Sequence, residues 1–477
     1  MIPQSPVAIV GWGVSGKAAA RALVRRGIDV MVFDGKEGAA PLPDLPQVNV
    51  RSITDPESLA QAVLAAQPTL VIVSPGVAPH TPLMQACERS SIPVWGEVEL
   101  AWQLQESGPH AGRPWLCVTG TNGKTTTVGM LGSILRAADK HAVEVGNIGS
   151  PICEAIDTDA HIFAVELSSF QLHTTHTLSP WACVCINVDA DHVDWHGSPE
   201  AYANDKSRIY THTQMACVYP AHDRPIEKMV EDADVIEGAR AIGVTLGIPS
   251  VSQVGLVENH LIDRAFVADR HKNALHLADV EDVAAAYGGS VTAAVMMDAL
   301  IAAALARSVD VPPESVAEGL RTFRPAAHRR AVIAEAADLI WIDDSKATNA
   351  HAAEASLRGL EPHSAIWICG GDTKGQVFDD MIVRVKDQLR GVVLIGADRT
   401  DFARAFAQNA PEIPVVEVAE HEDWMFSVVN EAVALSRPGD TVLLAPACAS
   451  WDQFENYGQR GDVFAEAVQR LARQWGK

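Results

Sequence analysis

Paired cysteine spacing is missing from this sequence. Its eight cysteines are scattered through 477 residues, and none stands in a C-x-x-C pair. The common zinc-ribbon and dithiol-redox signatures are therefore excluded, and isolated thiols fit a reducing cytoplasm. Cys183 and Cys185 are two apart in "WACVCINV" and read as small buried residues of one strand rather than as a metal pair. Positive charge is scarce as well. Lys and Arg total 37 against 60 Asp and Glu, for a formal net charge of −23. A general nucleic-acid or anionic-membrane binder needs a basic footprint, so neither partner is expected. A small anionic substrate needs only a local Lys/Arg cluster and stays open. No apolar run is long enough to span a bilayer. The longest, "VTAAVMMDALIAAALA", is broken by Asp298 and reads as a buried helix. The first residues lack a basic stretch leading into an apolar core, which predicts no secretory signal.

Hydrophobic residues make up 48% of the chain, enough for sizeable cores. At about 150 residues per domain the length suggests roughly three domains. The first block, 1–103, alternates strands and helices: "VAIVGWGVSG" is a strand into a glycine turn, "KAAARALVRRG" a helix, "IDVMVFD" and "TLVIVSPGV" further strands. The second block, 104–325, opens on the strand "WLCVTG" and the helix "KTTTVGMLGSILRAA", followed by the strands "HIFAVELSSF" and "WACVCINVDADH". Residues 218–290 are weakly periodic and read as strands or loops decorating this block. The third block, 326–477, carries the short apolar strands "LIWIDD", "SAIWICGG", "GVVLIGAD" and "DTVLLAP". The fold class expected is α/β, with three domains built on parallel sheets.

Seven motifs could carry chemistry. "GWGVSG" places Gly11, Gly13 and Gly16 in a strand–turn–helix context, with Asp34 ending the next strand. This is a diphosphate-binding fingerprint, and alone it favours a dinucleotide-dependent oxidoreductase. "VTGTNGKTTT" resembles a Walker A loop whose first glycine is replaced by Val118. Gly120 and Gly123 allow close approach of the backbone to phosphate. Lys124 supplies charge, and Thr125 a hydroxyl for Mg²⁺. Glu166 and His192 end two strands, where side chains converge on the ligand crevice of a parallel sheet. Asp189, Asp191 and Asp194 surround the histidine. "DDSKATN" (343–349), "GGDTKG" with Lys374, and "APACASWDQFENYGQRGDVF" with Ser450 share strand-end positions in one block and suggest one site.

Taken together, "GTNGKTT", "ELSSFQL" and "NVDADHVDWH" resemble the Mur ligases, ATP-dependent amide-forming enzymes of peptidoglycan synthesis. The three C-terminal motifs look like those of members that add D-glutamate to UDP-N-acetylmuramoyl-L-alanine. The resemblance spans essentially the whole chain apart from the weakly periodic middle stretch. It implies a Rossmann-like N-terminal domain holding the UDP-sugar through Val14, Ser15, Asp34, Lys36, Ser74 and Gly76, with Asn147 on the muramoyl-alanine portion. It implies a central P-loop ATPase-like domain in which Gly120, Thr121, Asn122, Gly123, Lys124, Thr125 and Thr126 bind ATP. There Thr125 and Glu166 would hold a first Mg²⁺, and His192 and Lys206 a second; family members carry a carbamate on that lysine. Lys124, Glu166, His192 and Lys206 form the implied catalytic set. A Rossmann-like C-terminal domain would contribute Arg329 and Asp344 to ATP, and Lys346, Thr348, Lys374, Ser450 and Tyr457 to glutamate. A cytoplasmic monomer, acting on small molecules and inserted in no membrane, is the implied setting.

The chain departs from the family in two places. Where a His-Asn pair and a second Asn usually open the helix before the C-terminal domain, Asp298 is the only polar candidate, and "HRR" is followed by Ala331 rather than an acid. Three alternatives stay open at this point. They are a dinucleotide oxidoreductase on "GWGVSG", a nucleotide-gated interaction protein, and a related ligase with a different amino-acid choice, L-glutamate included.

Overall fold

The computed structural model describes residues 3–189, 191–287, 289 and 291–475. The chain forms two compact units: residues 1–279 with 297–320, and residues 280–296 with 321–477. Three sheets organise it.

The first sheet contains β1 (Val7–Val10), β2 (Val30–Asp34), β3 (Asn49–Ser52), β4 (Leu70–Val73) and β5 (Val94–Trp95), in the order β3-β2-β1-β4-β5 and parallel throughout. The apolar runs "VAIV" and "LVIV" are buried along their whole length, as strands covered on both faces require. Strand order reverses between β1 and β4, the point where such sheets bind ligands beyond their carboxyl ends. The turn after β1 is tight. Gly11 has φ +100°, and a Cβ on Gly16 would stand 1.9 Å from the Gly11 carbonyl oxygen. The helix Val14–Val24 starts directly on Gly13, with no side-chain cap and no acid in its first turn. Its first amides are therefore presented at the turn.

The second sheet has nine strands: β6 (Trp115–Thr119), β7 (Ala142–Gly146), β8 (Ile162–Glu166), β9 (Ala182–Cys185), β10 (Ala216–Pro220), β11 (Arg240–Val244), β12 (Gln253–Val257), β13 (His260–Asp263) and β14 (Leu275–Asp279). Their order is β14-β13-β12-β11-β10-β9-β6-β8-β7. Strands β6 to β12 pair in parallel, and β13 and β14 add an antiparallel edge. The weakly periodic stretch is thus an extension of the central sheet. Trp115, fully buried, meets Trp102 and Phe163 edge-on at 5.3 and 6.0 Å between ring centroids. The first two sheets share a unit. Arg21 reaches Glu154 at 2.9 Å and Arg26 reaches Asp157 at 2.6 Å, while Glu97 accepts the Cys153 amide at 2.6 Å.

The third sheet contains β15 (Ala331–Ala336), β16 (Leu339–Asp343), β17 (Ala365–Gly370), β18 (Leu389–Ile395), β19 (Val415–Glu417) and β20 (Thr441–Leu444), ordered β15-β16-β20-β17-β18-β19. Only β15 runs antiparallel. Trp367 packs edge-on against Phe402 and Phe406 on one face, and Trp341 lies near Phe464 on the other. All eight cysteines are free and buried. Among the described residues no helix is long and apolar enough to cross a membrane.

Five strands went unread in the sequence: β3, β5, β7, β15 and β19. Each lies at or next to a sheet edge. "NVRS" is mostly exposed and "VW" is two residues long, so neither carries the apolar run or alternation that marks a strand.

Candidate active site

The loop after β6 lies between the loops after β8 and β9, because β6 pairs with both strands. Gly123 caps the helix Lys124–Ala137 with φ +84°. Lys124 folds back on its own loop, its Nζ donating to the carbonyls of Gly120 at 2.7 Å and Thr121 at 2.9 Å. Thr121 exchanges hydrogen bonds with the Asp189 backbone at 3.0 and 3.2 Å, and its hydroxyl lies 3.0 Å from the Tyr202 hydroxyl. The Asn122 amide donates to the Asn187 side chain at 2.9 Å. Thr126 is partly buried beside them.

Three expected residues meet on one carboxylate. Thr125 Oγ1 donates to Glu166 Oε2 at 2.7 Å, and Asn147 Nδ2 donates to Glu166 Oε1 at 2.8 Å. Glu166 is 1% exposed. Lys206 is equally buried, and its Nζ donates to the Gly120 carbonyl at 2.8 Å and lies 4.6 Å from the Tyr202 ring centroid. Burial, and then the charge of Lys124, push its amine down to about 7. His192 is exposed, with φ +51°. Its ring stands 4.8 Å from Phe170 and its Nε2 3.6 Å from Asp191.

Behind these groups lies a network that sequence reasoning missed. Asp205 accepts from His173 Nδ1 at 2.9 Å and from His196 Nδ1 at 2.9 Å, and pairs with Arg208 at 3.2 Å. His196 Nε2 is 3.0 Å from Ser169 Oγ. One carboxylate thus ties together the segments that follow Glu166 and His192 and the helix that carries Lys206. Burial pushes the His196 imidazole below its ordinary value, which favours the neutral ring. The spacing of His196 from His192 in "HVDWH" was its only sequence signal.

Asp298 occupies a defined place. Its Oδ1 accepts from Thr127 Oγ1 at 3.1 Å, and a Cβ on Gly123 would meet that same oxygen at 2.5 Å. The polar candidate of the departing motif therefore presses on the phosphate loop itself.

In the first sheet the expected residues gather at the carboxyl ends of β1, β2 and β4. Ser74 Oγ donates to the Gly11 carbonyl at 3.1 Å. Asp34 accepts the amide of Lys36 at 2.7 Å and also the amide of Trp12. Its carboxylate closes the turn, which weakens the case for a ribose-binding acid of a dinucleotide site. Val14 is 73% exposed, and Gly13, Lys36 and Gly76 are exposed, so the turn is open to a ligand.

In the second unit the loops after β16, β17 and β20 adjoin. Lys346 Nζ lies 4.3 Å from the Tyr457 ring and Lys374 Nζ 4.8 Å from the Trp451 ring. The Thr348 amide donates to Lys346 O at 2.8 Å, and Ser450 is buried. Arg460, the arginine of "APACASWDQFENYGQRGDVF", is 1% exposed. It donates to Ser345 Oγ at 3.0 Å, Ser345 O at 2.9 Å and Cys448 O at 3.2 Å, joining two of these loops. Burial lowers its guanidinium to about 10. Arg329 is partly buried. Asp344 accepts from the Arg330 amide at 3.1 Å and from Ser356, and burial raises its carboxyl to about 6.

Three family models match the chain: a Mur ligase MurD-like N-terminal domain over residues 5–96, a Mur ligase middle domain over 118–245, and a Mur ligase glutamate ligase domain over 328–448. The UDP-N-acetylmuramoylalanine–D-glutamate ligase of Streptomyces coelicolor is 48% identical over 474 residues, covering 98% of each chain. The protein of that name from Thermobifida fusca is 42% identical, again with 98% coverage of each. Among solved structures, the UDP-N-acetylmuramate–alanine ligase MurC of Thermotoga maritima aligns with TM-score 0.56 and 14% identity, over 97% of this chain and 99% of that one. The MurF ligase of Thermotoga maritima, in complex with ADP, aligns with TM-score 0.56 and 14% identity over 99% and 96%. With the phosphate loop, the Glu166 cluster and the C-terminal loops in place on three sheets, these likenesses agree along the full length: the chain belongs to the Mur ligase family.

Proposed function

We propose that the chain joins the amino group of D-glutamate to the L-alanine carboxylate of UDP-N-acetylmuramoyl-L-alanine, converting ATP to ADP and phosphate, in the synthesis of peptidoglycan precursors. The observation that carries the reading is the Thr125–Glu166–Asn147 cluster, which links the phosphate loop to the residue assigned to the muramoyl-alanine portion.

A carboxylate does not accept an amine directly, because oxide is too poor a leaving group. Transfer of the γ-phosphoryl of ATP to the alanine carboxylate gives an acyl phosphate and ADP. The glutamate amine then attacks the acyl carbon, and phosphate leaves. The first step brings two anions together. Lys124 offsets their repulsion and holds the outer phosphates once its loop carbonyls release it. The Thr125 hydroxyl and Glu166 carboxylate, hydrogen-bonded at the strand ends, are hard oxygen donors of the kind Mg²⁺ takes. His192 and a carbamylated Lys206 are assigned to a second Mg²⁺. Bound there, Mg²⁺ supplies charge neutralisation on the phosphoryl oxygens. Lys206 is suited to carbamylation, since an amine near 7 is substantially neutral at physiological pH and so nucleophilic toward CO₂.

The remaining roles follow the motif match. Gly120 to Thr126, Arg329 and Asp344 serve ATP. Val14, Ser15, Asp34, Lys36, Ser74 and Gly76 serve the UDP moiety, with the amides of the first turn of Val14–Val24 facing the diphosphate. Lys346, Thr348, Lys374, Ser450 and Tyr457 serve glutamate. Since every motif lies on one chain, a monomer suffices, and the substrates place the reaction in the cytoplasm.

The deciding experiment measures ADP release from ATP, Mg²⁺ and UDP-N-acetylmuramoyl-L-alanine, with D-glutamate or L-glutamate added. Release that depends on D-glutamate is expected. Release with L-glutamate alone would reassign the amino acid, and none with either would remove the ligase reading.

A further inference from the structure

The edge of the central sheet holds a second grouping of ligating side chains. Strands β13 and β14 pair with His260 opposite Asp279 and Ile262 opposite His276. The register shifts between Leu261 and Ile262, leaving Leu277 as an extra residue on β14. In a regular strand, residues three apart face opposite sides. The bulge turns His276 and Asp279 to one face while Leu277 and Ala278 are both buried. As a result, His260 Nδ1 and His276 Nε2 approach the same Asp279 oxygen, at 2.6 and 2.8 Å. The two rings stand 5.1 Å apart at 79°. Among the described residues this is the group of three His, Cys, Asp or Glu side chains whose ligand atoms converge, all within 4.8 Å of one another.

We propose that His260, His276 and Asp279 form a surface site for a divalent transition metal of the zinc class, with water completing the coordination. Zn–N and Zn–O bonds of about 2.0–2.2 Å place neighbouring tetrahedral donors about 3.3 Å apart. The present separations are slightly shorter, so small outward rotations of the two rings admit the ion. Those rotations are available, because the side chains of His260, His276 and Asp279 are 50%, 52% and 43% exposed. Two imidazoles and one carboxylate select zinc, copper or nickel over magnesium and calcium, which prefer all-oxygen sites. The site is separate from the phosphate loop. From β13 to β6 is five strand steps in the sheet order, about 24 Å at the usual spacing. The metal would clip β13 to β14 and stabilise the hairpin by linkage. The proposal does not rest on the ligase reading.

The test is zinc titration calorimetry on the full chain and on the His192→Ala, His260→Ala and His276→Ala variants. His192→Ala removes a competing ligand assigned to the nucleotide site. Expected is one zinc equivalent that persists in His192→Ala and in excess magnesium, and weakens at least tenfold in His260→Ala and in His276→Ala. Zinc should raise the melting temperature of the wild-type chain and not of those two variants. In addition, cobalt added to the wild-type chain should give the intense visible bands of a four-coordinate ion. Zinc affinity unchanged by both histidine substitutions, displacement by magnesium, or only the weak bands of octahedral cobalt would overturn the proposal.

Discussion

Lys124 and Lys206 share one acceptor, the Gly120 carbonyl, at 2.7 and 2.8 Å. Two ammonium groups on one oxygen repel, and both burial and Lys124 lower the Lys206 amine to about 7. Below pH 7 the amine is protonated and cannot form a carbamate. Turnover should therefore fall as pH drops through about 7, together with the ¹³C carbamate signal obtained in labelled bicarbonate. Lys206→Ala should abolish turnover, with no rescue by bicarbonate. Near-wild-type turnover in that variant would take Lys206 out of the site.

Glu166→Gln replaces the carboxylate that accepts from Thr125 and Asn147 with a group of the same shape. Gln can still accept from one partner and donate to the Thr125 oxygen, so the melting temperature should change little. The lost charge should lower kcat by about 10²-fold, the scale of removing one preorganised electrostatic group. Its apparent Mg²⁺ requirement, measured by titration at fixed ATP, should rise.

Asp205→Ala leaves His173, His196 and Arg208 without their common carboxylate. Removing one partner from a buried polar network costs about 1–3 kcal/mol. Urea denaturation should show that loss, and kcat should fall because the segments bearing Glu166, His192 and Lys206 are no longer tied together. Asp205→Asn, which keeps one acceptor, should recover part of both. Wild-type kcat in the alanine variant would separate the network from catalysis.

Asp344 has a folded value of about 6 against an ordinary 3.8. The raised value means that ionisation opposes folding. The carboxyl supports stability fully below about pH 4, and that contribution is lost as pH rises through about 6. Asp344→Asn should thus gain stability relative to wild type above pH 6, on the order of 1–3 kcal/mol, and gain nothing at pH 4. Melting curves at both pH values check the sign. The same variant should bind ATP less well if Asp344 serves the nucleotide.

The sequence exposed the interior of each sheet better than its margins. "VAIV", "LVIV" and "WLCVT" are unbroken apolar runs, buried as read. The polar "NVRS" is a strand only because β2 lends it a hydrogen-bonding edge. The helix after "GWG" begins at Val14 rather than Lys17, since nothing but Gly13 marks its start. In the site, Thr125 and Glu166 were readable because phosphate loops and strand ends follow a local pattern. Asp205 and His173 were not. They meet across 32 residues of chain, and a buried histidine looks in sequence like a solvated one. The bulge at Leu277 is equally invisible, since it depends on how two strands align.

The buried thiols make the chain its own opening reporter. A thiolate reacts only where reagent reaches it, so the native protein should resist labelling, and each modification event should count an excursion from the fold. Cys369 and Cys448 lie in the second unit and the other six in the first. Mass spectrometry of labelled peptides over time would then clock the two units separately, and substrates could be ranked by which clock they slow.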